Sequence, residues 1–285
     1  MSRLTLRSPA KINLFLKVVG KRPDGYHNLV TLFERISLHD TLVFTSIAKN
    51  RIKIECAHPH VPTGRKNLVY QAAQMLKDDF GVKQGVKINI QKRIPVAAGL
   101  GGGSSNAATA LKGLNRLWRL RLSKEKLLFY ARALGSDVAF FLYDCPWALG
   151  TERGDHIQPL HLKRQLWHIL VVPKVKIYSK IVYGHLKLKL TKKNDDVNIL
   201  IHSLKKDDIF HIGTRIKNDL EATIIRLSPS LEQLKKRLNS LKIEGVMISG
   251  SGPSVFGLLE TRQEAERLKK ILARSFSQVF VVKTL

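Results

Sequence analysis

Between Pro95 and Leu111 the chain reads PVAAGLGGGSSNAATAL, which sets Gly99, Gly101, Gly102 and Gly103 beside Ser104 and Ser105 and then switches to helix-forming residues. Glycine lets a backbone come close to an anion, and the first turn of a helix offers unpaired N–H groups and a favourable dipole. A flexible turn ahead of a capped helix is the plainer alternative. The density of glycine, the strand-like GVKINIQKRI before it and the helical pattern after it favour a phosphate cradle. The two serine hydroxyls suit phosphate oxygens, or a magnesium ion carried with them. The spacing is neither GxxxxGK followed by Ser or Thr nor the strand-Gly-x-Gly order of a dinucleotide fold, so a Walker nucleotidase and a Rossmann oxidoreductase are both disfavoured.

Other residues carry chemistry of their own. Lys11 and Asn13, two apart, share one side of a strand, where the amide can hydrogen-bond a ligand or serve the strand edge. Asp137 follows Gly135 and Ser136; taken alone it reads as a helix N-cap, and Lys11 alone as a solvated strand residue. Tyr26 and His27 come directly after a Pro-Asp-Gly turn, which projects them from a rigid loop. SGSGP, from Ser249 to Pro253, is a second glycine turn, with a tight hairpin as its bland reading. CAHPH at Cys56 to His60 has metal-ligand types, but Pro59 and the lack of a second cluster argue against a metal site.

The elements that must hold these groups alternate in type. Arg3 to Val19 and the segments LFERISLHDTLVFTSI, RIKIEC and GVKINIQ read as strands. KNLVYQAAQMLKDDF places Leu68, Ala72, Met75 and Leu76 on one helix face and ends at Gly81. Two helices follow the glycine loop, the first begun by Ser104 and Ser105, the second capped by Ser123 and stopped at Gly135. WALGTERGDHIQPL reads as a hairpin. Beyond it, strands at WHILVV, MISGSG, SVFGLLE and VFVVKTL alternate with helices at SKIVYGHL, SPSLEQLKKRLNSL and TRQEAERLKKILARS. The expectation is an α+β chain of two domains, 1–160 and 161–285, each with its own core.

At 285 residues with 44% hydrophobic content the chain can bury a substantial core. Its apolar runs fall short of the roughly 20 residues of a membrane span, and no secretory signal is apparent, so no membrane association and a cytoplasmic location are expected. Two cysteines without CxxC spacing support neither a disulfide framework nor a cysteine zinc site. The excess of 49 Lys and Arg over 22 Asp and Glu, a charge of +27, attracts polyanions generally. The basic residues are dispersed, however, and aromatics are only 7%, so no specific nucleic-acid partner is expected.

PVAAGLGGGSSNAATAL resembles the second motif of the GHMP kinases, a superfamily of small-molecule kinases. SPAKINLFLKVVGKRPDGYHNL (Ser8 to Leu29) and MISGSGPSVFG (Met247 to Gly257) resemble the first and third motifs, in the same order, and GSDVAFFL and RIKNDLEA extend the likeness over essentially the whole chain. The GKRPDGYH stretch is similar to the members whose acceptor is a cytidine diphosphate conjugate of methylerythritol. The resemblance implies an N-terminal ATP-binding domain like the second domain of ribosomal protein S5, a ferredoxin-like C-terminal domain, and a site between them. It implies transfer of the γ-phosphate of ATP, with Mg2+, to the 2-position hydroxyl of that acceptor in the non-mevalonate isoprenoid pathway.

Residue by residue, the resemblance casts Asp137 as general base and Lys11 as the cation that holds it ionised beside the moving phosphoryl. A neighbouring ammonium also weakens a carboxylate as a base, so orientation and charge stabilisation stand beside proton abstraction as its role. Asn13 and Ser179 are implied at the acceptor. Tyr26 stacks on the cytosine, His27 bonds its polar edge, and Tyr183, one helical turn from Ser179, completes the stack. Asn67 and Lys92 are implied at the adenosine end. The run Pro95, Val96, Ala97, Ala98, Gly99, Leu100, Gly101, Gly102, Gly103, Ser104 and Ser105 is implied at the phosphates, with the Ser249 to Pro253 turn packed against it. Asp219 and Glu221 read as structural. Asn28, where the family more often has an acidic residue, and Glu152, inside a stretch commonly glycine-rich, depart from the pattern. A GHMP kinase acting on homoserine or mevalonate would have no use for Tyr26 and His27, and an RNA-binding module with an S5-like fold would have none for ATP.

Overall fold

The computed structural model describes residues 2–186, 196–206 and 208–285; the basic stretch that follows His185 lies largely outside them. The chain divides into two compact units that interleave in sequence. The first comprises the chain up to Ala10, Leu38–Val96 and Gly101–Asp144; the second comprises Lys11–Ser37, Ala97–Leu100 and Cys145–Leu285. Two long strands, β1 (Arg3–Lys21) and β2 (His27–Ile47), contribute to both. Each is one continuous strand, running a few residues beyond the stretch its sequence pattern marked.

In the first unit the later half of β2 pairs antiparallel with β4 (Gly85–Gln91), Thr41 opposite Gln91 and Ile47 opposite Gly85. β3 (Ile52–Glu55) runs parallel to β4. The helices α1 (Leu68–Asp79), α2 (Gly102–Leu117) and α3 (Lys124–Leu134) pack on one another. α1 and α3 begin where the sequence put them: the Asn67 and Ser123 side chains accept from Val69 N and Lys126 N, and Gly135 ends α3. α2 starts at Gly102, two residues ahead of the serines. The sequence expectation there was wrong because first-turn amides need no intrahelical acceptor, which lets glycine stand in a first turn at little cost.

In the second unit β5 (Trp147–Thr151) and β6 (His156–Leu160) form the expected hairpin, and β5 pairs with the first half of β2. Next come β7 (Trp167–Val171), α4 (Ser179–Gly184), α5 (Asp196–Lys206), α6 (Ile209–Arg215), β8 (Lys217–Asn218, parallel to β1), α7 (Glu221–Leu227) and α8 (Ser230–Ser240). The chain ends with β9 (Glu244–Ile248), β10 (Val255–Leu259), α9 (Arg262–Leu272) and β11 (Val279–Lys283). A second sheet of order β11-β7-β10-β9 is antiparallel throughout, the ferredoxin-like arrangement. Leu231, Leu234 and Leu238 of α8 and Ala265, Leu268 and Leu272 of α9 share one buried core with Ile169, Val171, Ile248 and Val255 of the sheet. Among the described residues, no helix is long and apolar enough to cross a membrane.

The helical layer of the first unit carries one polar staple. Tyr130 of α3 is fully buried and donates its hydroxyl to Asp79 Oδ2 at 2.6 Å; burial, and then the bond to Asp79, push its pKa up to about 12. A raised pKa means the contribution is whole below the ordinary tyrosine value of 10.0 and fades as pH rises towards 12. Tyr130→Phe is expected to lower the unfolding free energy by about 1 kcal/mol at neutral pH. Urea titrations should show that difference shrinking above about pH 10.

Candidate active site

In the first unit the approach to the glycine loop is organised by a residue the sequence reading passed over. Asp40 of β2 is fully buried, and its carboxylate accepts from Arg93 N (2.7 Å), Ile94 N (2.8 Å), Asn106 Nδ2 (2.9 Å) and Lys92 Nζ. Asn106 Nδ2 also donates to Ser8 Oγ at 2.9 Å, and Ser8 Oγ donates to Ser105 Oγ at 2.8 Å. One anion thus ties together β2, the turn leading into the loop and the first turn of α2. Lys92 lies under the helix start, where a Cβ on Gly102 would come within 2.9 Å of its Nζ, so a side chain there would press on the ammonium that pairs with Asp40. A signal for Asp40 was present, since it shares the strand parity of the buried Leu42 and Phe44.

The side chains of Lys92 and Asn67 are therefore engaged inside the unit. Asn67, buried, caps α1 through Oδ1 and donates Nδ2 to Pro62 O at 2.6 Å. Ser105 is buried with its hydroxyl on Ser8, while Ser104 is half-buried. The amides of Gly102, Gly103 and Ser104 precede the first intrahelical bond, Ser105 N to Gly101 O at 2.8 Å, and stand at the positive end of a 16-residue helix. Such a group of donors fits the phosphates of a nucleotide. Asp137 sits in a short 3-10 turn, Ser136–Val138, that packs against α2. Its carboxylate and the Ser104 hydroxyl are hard oxygen donors of the kind a magnesium ion takes.

In the second unit Lys11 and Asn13 of β1 are brought together. Lys11 Nζ donates to Asn13 Oδ1, Asn13 Nδ2 donates to Thr31 Oγ1, and Thr31 Oγ1 donates to Phe15 O, each at 2.7 Å. All three side chains are buried, and Lys11 Nζ lies 5.6 Å from the centroid of the Phe33 ring. The relay fixes the direction of the Asn13 amide, and Thr31 is a member the sequence reading missed. The loop residues of this unit are held by their carbonyls: Leu100 O accepts from Lys11 N (3.0 Å), Ala98 O from Ser254 Oγ (2.6 Å) and Gly99 O from Ser249 Oγ (3.2 Å). Gly99, at φ 74°, passes so close to the 249–254 turn that a Cβ would stand 2.3 Å from Ser249 O. The expected packing of that turn on the glycine loop is realised here. Asn218 secures its start by donating to Ile248 O and Gly250 O at 2.8 Å.

The same unit gathers the aromatic residues. The rings of His27 and Tyr183 stack with centroids 5.3 Å apart and 25° between planes, and Tyr26 projects half-exposed from the turn before them. Burial, and then the charge of Lys21, lower the His27 pKa from its ordinary 6.5, which keeps the imidazole neutral at physiological pH. Ser179 opens α4 with its Oγ 2.7 Å from Ser251 Oγ in the glycine turn. Asn28 accepts from Arg22 Nη1 at 3.1 Å. Asp219 accepts from Val18 N, and Glu221 from Ile248 N and Lys235 Nζ, the structural parts expected of them. No group of metal-ligating residues forms at Cys56 to His60 or elsewhere among the described residues.

Comparison with known proteins bears on both units. The family described as GHMP kinases N terminal domain matches residues 67–145, and GHMP kinases C terminal matches 200–278. The chain is 40% identical over 282 residues, covering 99% of it and 98% of the relative, to 4-diphosphocytidyl-2-C-methyl-D-erythritol kinase of Exiguobacterium sibiricum. It is similar to the crystal structure of a 4-(cytidine 5'-diphospho)-2C-methyl-D-erythritol kinase, with TM-score 0.84, 33% identity and 98% of each chain covered. Homoserine kinase from Cytophaga hutchinsonii, at TM-score 0.77 and 19% identity over 100% of this chain and 95% of that one, shares the fold.

Removing the anion under the loop tests its part in this architecture. Asp40→Ala, which strands a buried ammonium, is expected to cost about 3–5 kcal/mol in urea unfolding. Adding Lys92→Met should recover part of that loss, because the uncompensated charge goes while the orphaned amides of Arg93 and Ile94 remain.

Proposed function

Since the chain belongs to the GHMP kinases and is an ATP-dependent small-molecule kinase of isoprenoid precursor synthesis, we propose that its acceptor is 4-diphosphocytidyl-2-C-methyl-D-erythritol. The acceptor's 2-position hydroxyl oxygen bonds to the γ-phosphorus of ATP as the bond from that phosphorus to the β–γ bridging oxygen breaks. The products are the 2-phosphate and ADP. The observation that carries the choice of acceptor is the stacked His27–Tyr183 pair with the exposed Tyr26 next to it in the chain, which suits a pyrimidine and serves no purpose for homoserine or mevalonate.

In this reading Asp137 takes the hydroxyl proton and orients the acceptor, and Lys11, aimed by Asn13, neutralises charge on the transferred group. Mg2+, when bound with ATP, supplies further charge neutralisation at the phosphates. The first-turn amides at Gly102, Gly103 and Ser104 hold the phosphates, with Pro95 to Gly101 and Ser105 shaping the loop around them. Asn67, which caps α1, and Lys92, which pairs with Asp40, act indirectly at the adenosine end. Asn13 and Ser179 bond the acceptor, Tyr26 and Tyr183 stack on the base, and neutral His27 reads its polar edge.

A coupled ADP-release assay with this acceptor tests the proposal. Wild type should turn over, and Asp137→Ala and Lys11→Ala should each lower kcat by about a hundredfold or more. No turnover by wild type, or undiminished turnover by Asp137→Ala, would overturn it. Because the His27 pKa is lowered, acceptor KM should stay level as pH falls from about 8 to the ordinary histidine value of 6.5, and rise only below it.

A further inference from the structure

The turn between β5 and β6 faces the aromatic loop with a cation whose role neither the comparisons nor the established activity supplies. The guanidinium of Arg153 lies 5.3 Å from the centroid of the Tyr26 ring. It is itself pinned: Nε donates to Asp155 Oδ2 at 3.1 Å and Nη2 donates to the same oxygen, and Asp155 is buried. The backbone carrying it is equally set. Glu152 takes a left-handed φ of 58°, Gly154 N donates to Thr151 O at 2.9 Å, and Glu152 O accepts from Leu29 N at 2.7 Å, two residues past His27.

The backbone of Tyr26 is fixed from the other side. Its N–H donates to Asp24 Oδ1 at 3.1 Å and its carbonyl accepts from Arg22 N at 2.8 Å. The side chain, 54% exposed, has Arg153 as its ring neighbour. An exposed tyrosine otherwise samples several rotamers, and a ligand that stacks on it must meet the cost of ordering it. A cation on one face of the ring holds it in a single orientation and leaves the opposite face for a base. Resting on the reading of Tyr26 as the base-stacking residue, we propose that Arg153 is a positioning residue that preorganises Tyr26 and thereby sets the affinity for the cytosine end of the acceptor. Glu152, where this chain leaves the family's glycine-rich pattern, then shapes the turn from which Arg153 stiffens the base platform.

Steady-state kinetics on the full chain with the cytidylyl acceptor and ATP test this through Arg153→Met, which keeps the aliphatic stem, Arg153→Lys, Tyr26→Leu, and Arg153→Met combined with Tyr26→Leu. Arg153→Met should raise acceptor KM roughly three- to tenfold with kcat and ATP KM unchanged, and Arg153→Lys should recover part of the loss. In the Tyr26→Leu background, Arg153→Met should have no further effect, because the ring it orders is gone. A raised ATP KM, or an equal effect with and without Tyr26, overturns the inference in favour of a general structural or electrostatic role. An unchanged KM in Arg153→Met beside a raised one in Tyr26→Leu overturns it alone. An unchanged KM in Tyr26→Leu overturns it together with the base-stacking reading.

Discussion

A carboxylate taken fully out of water must find donors for its lone pairs, and Asp40 finds them at the base of the glycine loop. The geometry this imposes is shared among segments distant in sequence. Arg93 and Ile94 fix where β4 releases the chain, Asn106 and through it Ser8 and Ser105 fix where α2 begins, and Lys92 balances the charge. An isolated glycine run is floppy; here its exit from a strand and its entry into a helix are bonded to the same two oxygens. The amides of the first turn of α2 are then held at a set position, an arrangement preorganised for an anion.

The middle of the loop depends on a second set of bonds, made by its carbonyls. With the oxygens of Ala98, Gly99 and Leu100 engaged by Ser254, Ser249 and Lys11 N, that backbone has one face committed to protein. The same strand that gives the Lys11 amide also gives its ammonium, directed by the Asn13–Thr31 relay. A loop-positioning bond and an ammonium of fixed direction thus issue from one residue of β1. The excess positive charge of the chain attracts anions generally, but Asp40, Lys11, Asn13 and Thr31 are buried and fixed rather than part of that surface.

Much of this was legible in the sequence because the signals were local. Ser123 and Gly135 marked the ends of α3 through capping chemistry that spans three or four residues, and the strands of the second sheet stood out as short apolar runs. The Tyr26–His27 projection followed from the turn before it. What stayed hidden depends on long-range partners. Asp40 meets Asn106 across 66 positions, and Asn13 meets Thr31 across a hairpin. Residues 196–227 hold α5, α6 and α7, the last two of only seven residues, too short for a helical period to show. Arg153 went unread, because its meaning lies in Tyr26, far along the chain. The start of α2 was misplaced because glycine's poor helix propensity hides how well it serves a first turn.

The central claim is that the chain recognises its acceptor through the cytosine while a separately anchored loop holds ATP. The most direct test compares kcat/KM for 4-diphosphocytidyl-2-C-methyl-D-erythritol with that for methylerythritol phosphate lacking the cytidylyl group, at saturating ATP. The account predicts a fall of about a hundredfold or more for the truncated acceptor, since no base remains to engage Tyr26, His27 and Tyr183. Equal kcat/KM for the two acceptors would contradict it.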